Sequence, residues 1–460
     1  MTSARHVHFV GIGGIHMSGL ASILLDDGIE VSGSDMTQSA LTDALAAKGA
    51  RIFIGHAAPQ VVGAELVVWS AAIPDDNPEL VAAREGPIEL VSRAQMVARV
   101  AVGRRTLTVA GSHGKTTTST MLTLILRQAG LDPSYILGGE STALPSHAAR
   151  GAGAQIVLEA DEYARAFHEY QPSVAAIINL ERDHLDYYGS DDNLRDAFVE
   201  HALTIEPDGR LIVGAESPCA MRVAETLAVR RADVQTETFG LAETGGWDWS
   251  AAEIASSATG VDFELRARNE SLGTVALATV GTYNVRNALA ASAIALREGA
   301  SITDVQAALS TFAGVHRRFE TVGEASGVTV VDDYAHHPTE ITAVIAAARM
   351  RFPERRLVVL FQPHTYSRSQ YLLEGFRGCF ADADVLYLSE TYPARETPDQ
   401  GMPAVDLADR IDSPRAIYLG PLSEAVVAVA QAAVSGDVIL TLGAGDIEAA
   451  GAQIVERLPA

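Results

Sequence analysis

Short apolar runs bounded by polar, glycine-rich turns alternate along the chain with longer stretches in which apolar residues recur every three or four positions. The first pattern reads as buried strand and the second as amphipathic helix. Strands are expected at HVHFV (6–10), IEVSG (29–33), RIFI (51–54) and ELVVWS (65–70), with helical segments between them. AVGRR at 101–105 reads as a junction, after which TLTVA (106–110) runs into GSHGKTTT, and strands follow at IVLE (156–159) and VAAIIN (174–179). The region 231–280 is rich in Thr and Gly and alternates as in VDFELRAR, which predicts a more antiparallel part. Helices at about 284–298 and 302–311 close this unit, and from GVHRRFE onward strand VTVVD, helix 339–350, strand RLVVLF, helix 370–380, strand DVLYLS and strand DVILTL follow. This alternation predicts α/β architecture with mostly parallel sheets. The length of 460 residues fits three such units.

Composition narrows the function. A hydrophobic share of 48% and a charged share of 20% fit a folded globular chain and exclude a disordered one. No apolar run is long enough for a membrane span, and MTSARHVHFVGIGG reads as a first strand rather than a secretory signal. Two cysteines, Cys219 and Cys379, exclude a disulfide scaffold and fit a reducing cytoplasm. With 34 basic and 58 acidic residues the net charge is −24, which argues against nucleic acid and anionic membranes as partners. An anionic small ligand then needs local help from Lys, Arg, helix N-termini or a metal ion.

Several motifs supply that help. Gly11-Ile12-Gly13-Gly14-Ile15-His16 lies where a strand turns into a helix, with Ser34 and Asp35 at the end of the next strand. This is the layout of a turn that receives a diphosphate at a helix N-terminus. His16 stands where a dehydrogenase fingerprint has its third glycine, so a diphosphate such as UDP suits it better than a nicotinamide dinucleotide. Gly111-Ser112-His113-Gly114-Lys115-Thr116-Thr117 follows a strand and precedes a helix. Backbone N–H groups in such a loop cradle phosphates, the lysine reaches the β- and γ-phosphates, and a threonine hydroxyl holds Mg²⁺. Val109 replaces the first glycine of the standard spacing, so the loop is a divergent one.

Acidic clusters Glu159-Ala160-Asp161-Glu162 and Asn179-Leu180-Glu181-Arg182-Asp183-His184-Leu185-Asp186 end two apolar strands, where an ATP-bound Mg²⁺ needs ligands. In Gly281-Thr282-Tyr283-Asn284-Val285-Arg286-Asn287, Asn284 and Asn287 share a helix face; they read an adenine edge, or, as spacing alone favours, Asn284 caps the helix. Arg317-Arg318-Phe319-Glu320, Val331-Asp332-Asp333-Tyr334-Ala335-His336-His337-Pro338-Thr339-Glu340 and Phe361-Gln362-Pro363-His364-Thr365-Tyr366-Ser367-Arg368 place polar and aromatic loops at strand ends, suited to a small substrate in a cleft.

Taken in order, HFVGIGG, VVWSAAIPDDNPE, SRAQM, AGSHGKTTT, EADEYARAF, NLERDHLDYYG, GTYNVRNALAA, FAGVHRRFE, VDDYAHHPTE, FQPHTYSR and GAGDI resemble the Mur ligases of bacterial cell-wall synthesis over nearly the whole chain. VDDYAHHPTE and FQPHTYSR most resemble the alanine-adding member. The resemblance implies a UDP-sugar-binding Rossmann-like domain at 1–103, a central P-loop ATPase-like domain at 104–312 with a smaller antiparallel part, and a C-terminal Rossmann-like domain at 313–460 that brings the amino acid. It implies UDP-N-acetylmuramate, L-alanine and ATP as substrates, Mg²⁺ (replaceable by Mn²⁺) as cofactor, an acyl-phosphate intermediate, and a monomer or weak homodimer.

Carried over by position, the resemblance assigns Gly111 to Thr117, Asn284, Asn287, Arg318, Asp332 and Asp333 to ATP. It assigns Thr116, Glu159 and His184 to the metal, and Tyr334, His336 and Arg368 to L-alanine, Arg368 pairing with its carboxylate. Gly11 to Gly14, Ser34, Asp35, Ser70, Arg93 and His113 fall along the UDP-sugar path, and Lys115, His184 and His336 are the catalytic candidates. The chain departs from the family pattern at His16, Ala71, Ala164, Ala166 and Tyr283. The competing readings are a ligase that recycles a tripeptide, and a nonligase protein that binds a nucleotide or UDP-sugar without turnover.

Overall fold

In the computed structural model, which describes residues 4–458, the chain forms three sheets. The first contains β1 (His6–Val10), β2 (Glu30–Asp35), β3 (Arg51–Ile54), β4 (Leu66–Trp69) and β5 (Glu89–Ser92) in the order β3-β2-β1-β4-β5, all parallel. The strand order reverses at β1, whose five residues are all buried. The crevice outside the C-terminal end of β1 is therefore the switch point at which such sheets take ligands, and Gly11–Gly14 lie there.

The second sheet contains β6 (Arg105–Ala110), β7 (Ser134–Ile136), β8 (Ala148–Ala149), β9 (Gln155–Glu159), β10 (Val174–Ile177), β11 (Arg210–Gly214), β12 (Gln235–Leu241), β13 (Trp249–Ser256), β14 (Val261–Ala267) and β15 (Glu270–Leu277). Their order is β15-β14-β13-β12-β11-β10-β6-β9-β7-β8. β6, which carries the phosphate loop, lies between β9 and β10, which carry the acidic clusters. The antiparallel pairings are β13–β14, β14–β15 and the short β7–β8. The alternating pattern thus marks the hairpins, whereas β12 within the same region pairs parallel on both sides. The helices Lys115–Gln128 and Thr282–Arg297 pack together over this sheet, the second through buried small residues such as Ala288, Ala291 and Ala295.

The third sheet contains β16 (Glu320–Ala325), β17 (Val328–Asp333), β18 (Leu357–Phe361), β19 (Val385–Leu388), β20 (Ala416–Tyr418) and β21 (Val438–Leu442) in the order β16-β17-β21-β18-β19-β20. It is parallel except for the edge strand β16. The single helix expected at 370–380 is instead two short ones, Tyr366–Tyr371 and Leu373–Gly378, broken at Leu372.

The three units are not joined alike. One apolar cluster runs from Val7 and Leu20 through Ala148 and Ile156 to Val234, so the first two sheets share a core. Gly19 sits so close to Ala148 that a Cβ would lie 2.7 Å from the alanine methyl, which explains a glycine inside the helix Ile15–Asp26. The apolar clusters of the C-terminal unit contain no residue from before Val328 in one case and Val331 in the other. That unit meets the centre through polar contacts, the kind of joint that lets a domain move as a body. Among the described residues no helix is long and apolar enough to cross a membrane.

Candidate active site

Backbone geometry fixes the phosphate loop. Gly111 (φ +147°) and Gly114 (φ +80°) adopt conformations that side-chain-bearing residues rarely take, and a Cβ on Gly114 would collide with the Asn287 amide. Asn179 clamps the loop: its Oδ1 accepts the His113 N–H at 2.9 Å and its Nδ2 donates to the His113 carbonyl at 3.1 Å. Gly114→Ala is therefore expected to cost about 1–3 kcal/mol in backbone strain alone and to lower ATP affinity. Thermal melts and an ATP titration of that variant check both effects.

Lys115 Nζ donates to the Gly111 carbonyl at 2.7 Å and to Glu162 Oε1 at 2.9 Å. Burial opposes its charge, but Glu162, Glu159 and Asp161 outweigh burial and raise its pKa, so it stays cationic. Glu159, at the end of β9, accepts the Gly138 N–H at 2.8 Å. Burial raises its carboxyl above the usual range against the pull of Lys115 and the Thr116 hydroxyl. His184 Nε2 lies 3.4 Å from Glu162 Oε1 and 3.7 Å from Asp183 Oδ2. Burial works against charge on His184, but Asp183 and Glu162 outweigh it. A desolvated carboxyl, an adjacent hydroxyl and an imidazole turned toward acids make a donor set that fits Mg²⁺ or Mn²⁺. Glu162 links His184 to Lys115, a role that its place in the acidic cluster did not single out.

On the C-terminal side, Arg368 and Asp183 form a buried ion pair at 2.7 Å, and His364 Nδ1 accepts from Arg368 at 2.8 Å. Burial disfavours charge on Asp183, yet Arg368 and then His184 hold its carboxyl well below the usual range. His336 touches the Tyr334 carbonyl (3.0 Å) and lies 3.4 Å from Glu340. Burial, then Arg368 and His364, bring its pKa down to about 3, so His336 is neutral at neutral pH. Arg318 faces Glu340 at 3.6 Å and stacks on Tyr334 with its carbon 5.0 Å from the ring centre.

A cavity of about 1060 Å³ opens between the central and C-terminal units. It is lined by the phosphate-loop residues His113, Gly114, Thr116 and Thr117 and by Tyr283, Asn284, Asn287, Arg318 and Asp333. Two expectations change. Asn284 does not cap its helix: Gly281 does, and the Asn284 amide donates to the Val280 carbonyl at 2.8 Å. Of the paired acids only Asp333 lines the cavity, because Asp332 is tied to Arg317 at 3.0 Å and to the Thr441 hydroxyl at 2.6 Å. Asp333 is raised to about 7 by burial, against Arg318 and two backbone N–H groups.

At the first turn, the Gly11 and Ile12 N–H groups donate to the Ser34 carbonyl at 2.8 and 2.9 Å, and Gly13 N–H to Asp35 at 2.9 Å. The Ser34 hydroxyl is buried against Glu79 (2.6 Å) and His56 (2.9 Å), so it holds the turn rather than facing a ligand. Ser70 follows β4 and accepts the Ala72 N–H. Arg93 donates to His16 at 2.9 Å and to Asp161 at 2.7 Å, joining the first unit to the acidic cluster of the second. His16 thus meets a cation where a glycine was expected, and burial with Arg93 lowers its pKa to about 3.

Burial works against charge on Asp161, but Arg93 and Lys115 hold its carboxyl down to about 2, from an ordinary value of 3.8. A depressed carboxylate contributes stability above its unfolded pKa and loses it as pH falls through the folded one. Asp161→Asn should therefore flatten the loss of stability between about pH 4 and 2 by close to one proton. Acid unfolding curves of the two proteins measure this.

The fold and this site define a three-domain α/β nucleotide-binding protein with a phosphate loop at its centre. Residues 6–105 match the Mur ligase family, catalytic domain; 109–295 match the Mur ligase middle domain; and 317–445 match the Mur ligase, glutamate ligase domain. The chain belongs to the Mur ligase family. It is 42% identical over 458 residues to the UDP-N-acetylmuramate–L-alanine ligase of Salinibacter ruber, covering 99% of this chain and 95% of that one. It is 38% identical over 457 residues to that of Syntrophus aciditrophicus, covering 99% and 94%. Among solved structures, the UDP-N-acetylmuramate-alanine ligase MurC of Thermotoga maritima matches with a TM-score of 0.82 at 28% identity over 98% of both chains. A murein peptide ligase of Psychrobacter arcticus matches with a TM-score of 0.73 at 25% identity, again over 98% of both.

Proposed function

We propose that the protein joins L-alanine to the lactyl carboxylate of UDP-N-acetylmuramate, converting ATP to ADP and phosphate, in peptidoglycan precursor synthesis. The observation that carries this reading is an interdomain cavity lined by the phosphate loop on one side and by Arg318, Asp333 and Glu340 on the other, with Arg368 of the C-terminal unit paired to Asp183 of the central one. Relatives at 38% and 42% identity over essentially the whole chain, both named for that reaction, support it.

A carboxylate is a poor electrophile because its leaving group would be oxide. Transfer of the γ-phosphoryl group to the lactyl oxygen forms a C–O–P bridge and releases ADP. Two anions must meet for this, and Lys115 sits where it screens them. Glu162 now holds that lysine, and nucleotide phosphates compete for it. Thr116, Glu159 and His184 would hold Mg²⁺, which when bound offsets phosphate charge. The amine of alanine then attacks the acyl carbon, an N–H proton is lost, and the tetrahedral adduct expels phosphate to leave the amide. Arg368 receives the alanine carboxylate, a charge-assisted contact. Neutral His336 is able to accept the proton, and a ligand carboxylate placed beside it raises its proton affinity. Tyr283, Asn284 and Asn287 form the adenine side, and Gly11–Gly14, Asp35, Ser70 and Arg93 the UDP-sugar side.

The test is phosphate release with ATP, Mg²⁺ and UDP-N-acetylmuramate, adding L-alanine, glycine, L-serine or a tripeptide in parallel. Release is expected only with both the UDP-sugar and L-alanine, or weakly with its small analogues. Release with the tripeptide alone would move the protein to recycling, and none with any amine would favour a binding protein.

A further inference from the structure

Two imidazoles and a carboxylate converge where the phosphate loop, the loop after β10 and the C-terminal unit meet. His113 comes from the loop, Glu181 from the end of the central sheet, and His337 from the N-cap of the helix Pro338–Arg351. One ligand atom from each lies within 4.8 Å of the others, and among the described residues no other His, Cys, Asp or Glu trio does this. Glu181 Oε2 is 3.6 Å from His113 Nε2 and 3.7 Å from His337 Nδ1.

The second nitrogen of each ring is already engaged. His113 Nδ1 lies 3.2 Å from Glu340 Oε1, and His337 Nε2 lies 3.1 Å from the Arg182 carbonyl. Histidines that bind metals are held in this way, the far N–H given to a carboxylate or carbonyl so that the near lone pair faces the ion. His113 Nε2 is buried and has no hydrogen-bond partner. His337 Nδ1 accepts a 3.3 Å bond from the Thr339 N–H and Glu181 Oε2 accepts the Thr339 hydroxyl, and an ion at this point would displace both bonds.

We propose that His113, Glu181 and His337 form a site for a borderline divalent transition-metal ion such as Zn²⁺, separate from the Thr116–Glu159–His184 set. Two imidazoles and one carboxylate suit Zn²⁺, whereas the Thr116–Glu159–His184 set is mostly oxygen and suits Mg²⁺ or Mn²⁺. Three protein ligands leave a fourth position open, and His113 and Glu181 line the cavity. Because the ligands come from both sides of the cleft, the ion ties the phosphate loop to the C-terminal unit.

The test titrates the metal-stripped, full-length protein with Co²⁺ alone, without nucleotide. The expected result is one ion per chain with the visible absorption of a four-coordinate nitrogen–oxygen site, displaced by Zn²⁺. His337→Asn keeps a capping side chain but lacks the imidazole, and Glu181→Gln removes the carboxylate. Each should weaken Co²⁺ binding by at least about tenfold, and Glu340→Gln by about 10–100-fold. Glu159→Gln should leave it unchanged. Circular dichroism of the metal-free variants checks folding, and Glu181→Gln keeps the test decisive if His337→Asn does not fold. Absence of stoichiometric uptake would overturn the site and leave His113 as a protonated bridge between Glu181 and Glu340. Uptake undiminished in folded Glu181→Gln, or lost in Glu159→Gln instead, would overturn it equally.

Discussion

Lys115→Ala should lower phosphate release by at least about 10²–10³-fold, the scale on which removing a preorganised charge stabiliser acts, while UDP-N-acetylmuramate binds within a few-fold of normal. The turn after β1, proposed above for the UDP-sugar, receives no hydrogen bond from Lys115, which donates to Gly111, Ser112 and Glu162. The variant has a second effect. Glu162 is 2% exposed and loses the cation that compensates it. Breaking a buried pair by removing one partner costs about 3–5 kcal/mol, so the melting temperature should fall too. Lys115→Ala combined with Glu162→Gln separates the two roles: stability returns and turnover does not. Near-normal phosphate release by either variant would remove Lys115 from the chemistry.

Arg368→Ala should raise the L-alanine KM by roughly 10–100-fold, corresponding to one lost hydrogen-bonded contact to a charged group. The KM values for ATP and UDP-sugar should move little. Stability again confounds the single variant, because Asp183 is left 4% exposed without its partner. The double variant Arg368→Ala, Asp183→Asn removes that stranded charge. If Arg368 only balances Asp183, the double variant recovers a normal alanine KM. If it receives the substrate carboxylate, stability recovers and the KM stays high.

Much of this was legible because it is local. The glycine pattern from 111 to 114 demands a turn, a strand and a helix flank it, and the structure places the loop at the end of a central strand. β10 is a continuous apolar run, and β1, β6 and β9 are buried almost throughout with apolar centres, so all four are hard to miss. The short edge strand β20 and the two-residue β8 carry no comparable pattern. Partnerships were less legible than motifs. Asp183 and Arg368 are 185 residues apart, and nothing in either neighbourhood announces the other. Ser34 and Asp332 sit beside Asp35 and Asp333, and only packing shows that their side chains turn toward Glu79 and toward Arg317 with Thr441. Glu340 reads in the sequence as one polar residue among many in its loop, although it lies one turn after His336 and contacts that residue, His113 and Arg318.

Direct phosphorylation of the lactyl carboxylate before the amine attacks is the central step of the proposed reaction. UDP-N-acetylmuramate carrying heavy oxygen in that carboxylate, turned over with ATP, Mg²⁺ and L-alanine, tests it most directly. One labelled oxygen should appear in the inorganic phosphate and the other should remain in the amide carbonyl, as read by mass spectrometry. Phosphate free of label, with amide product still formed, would contradict the account.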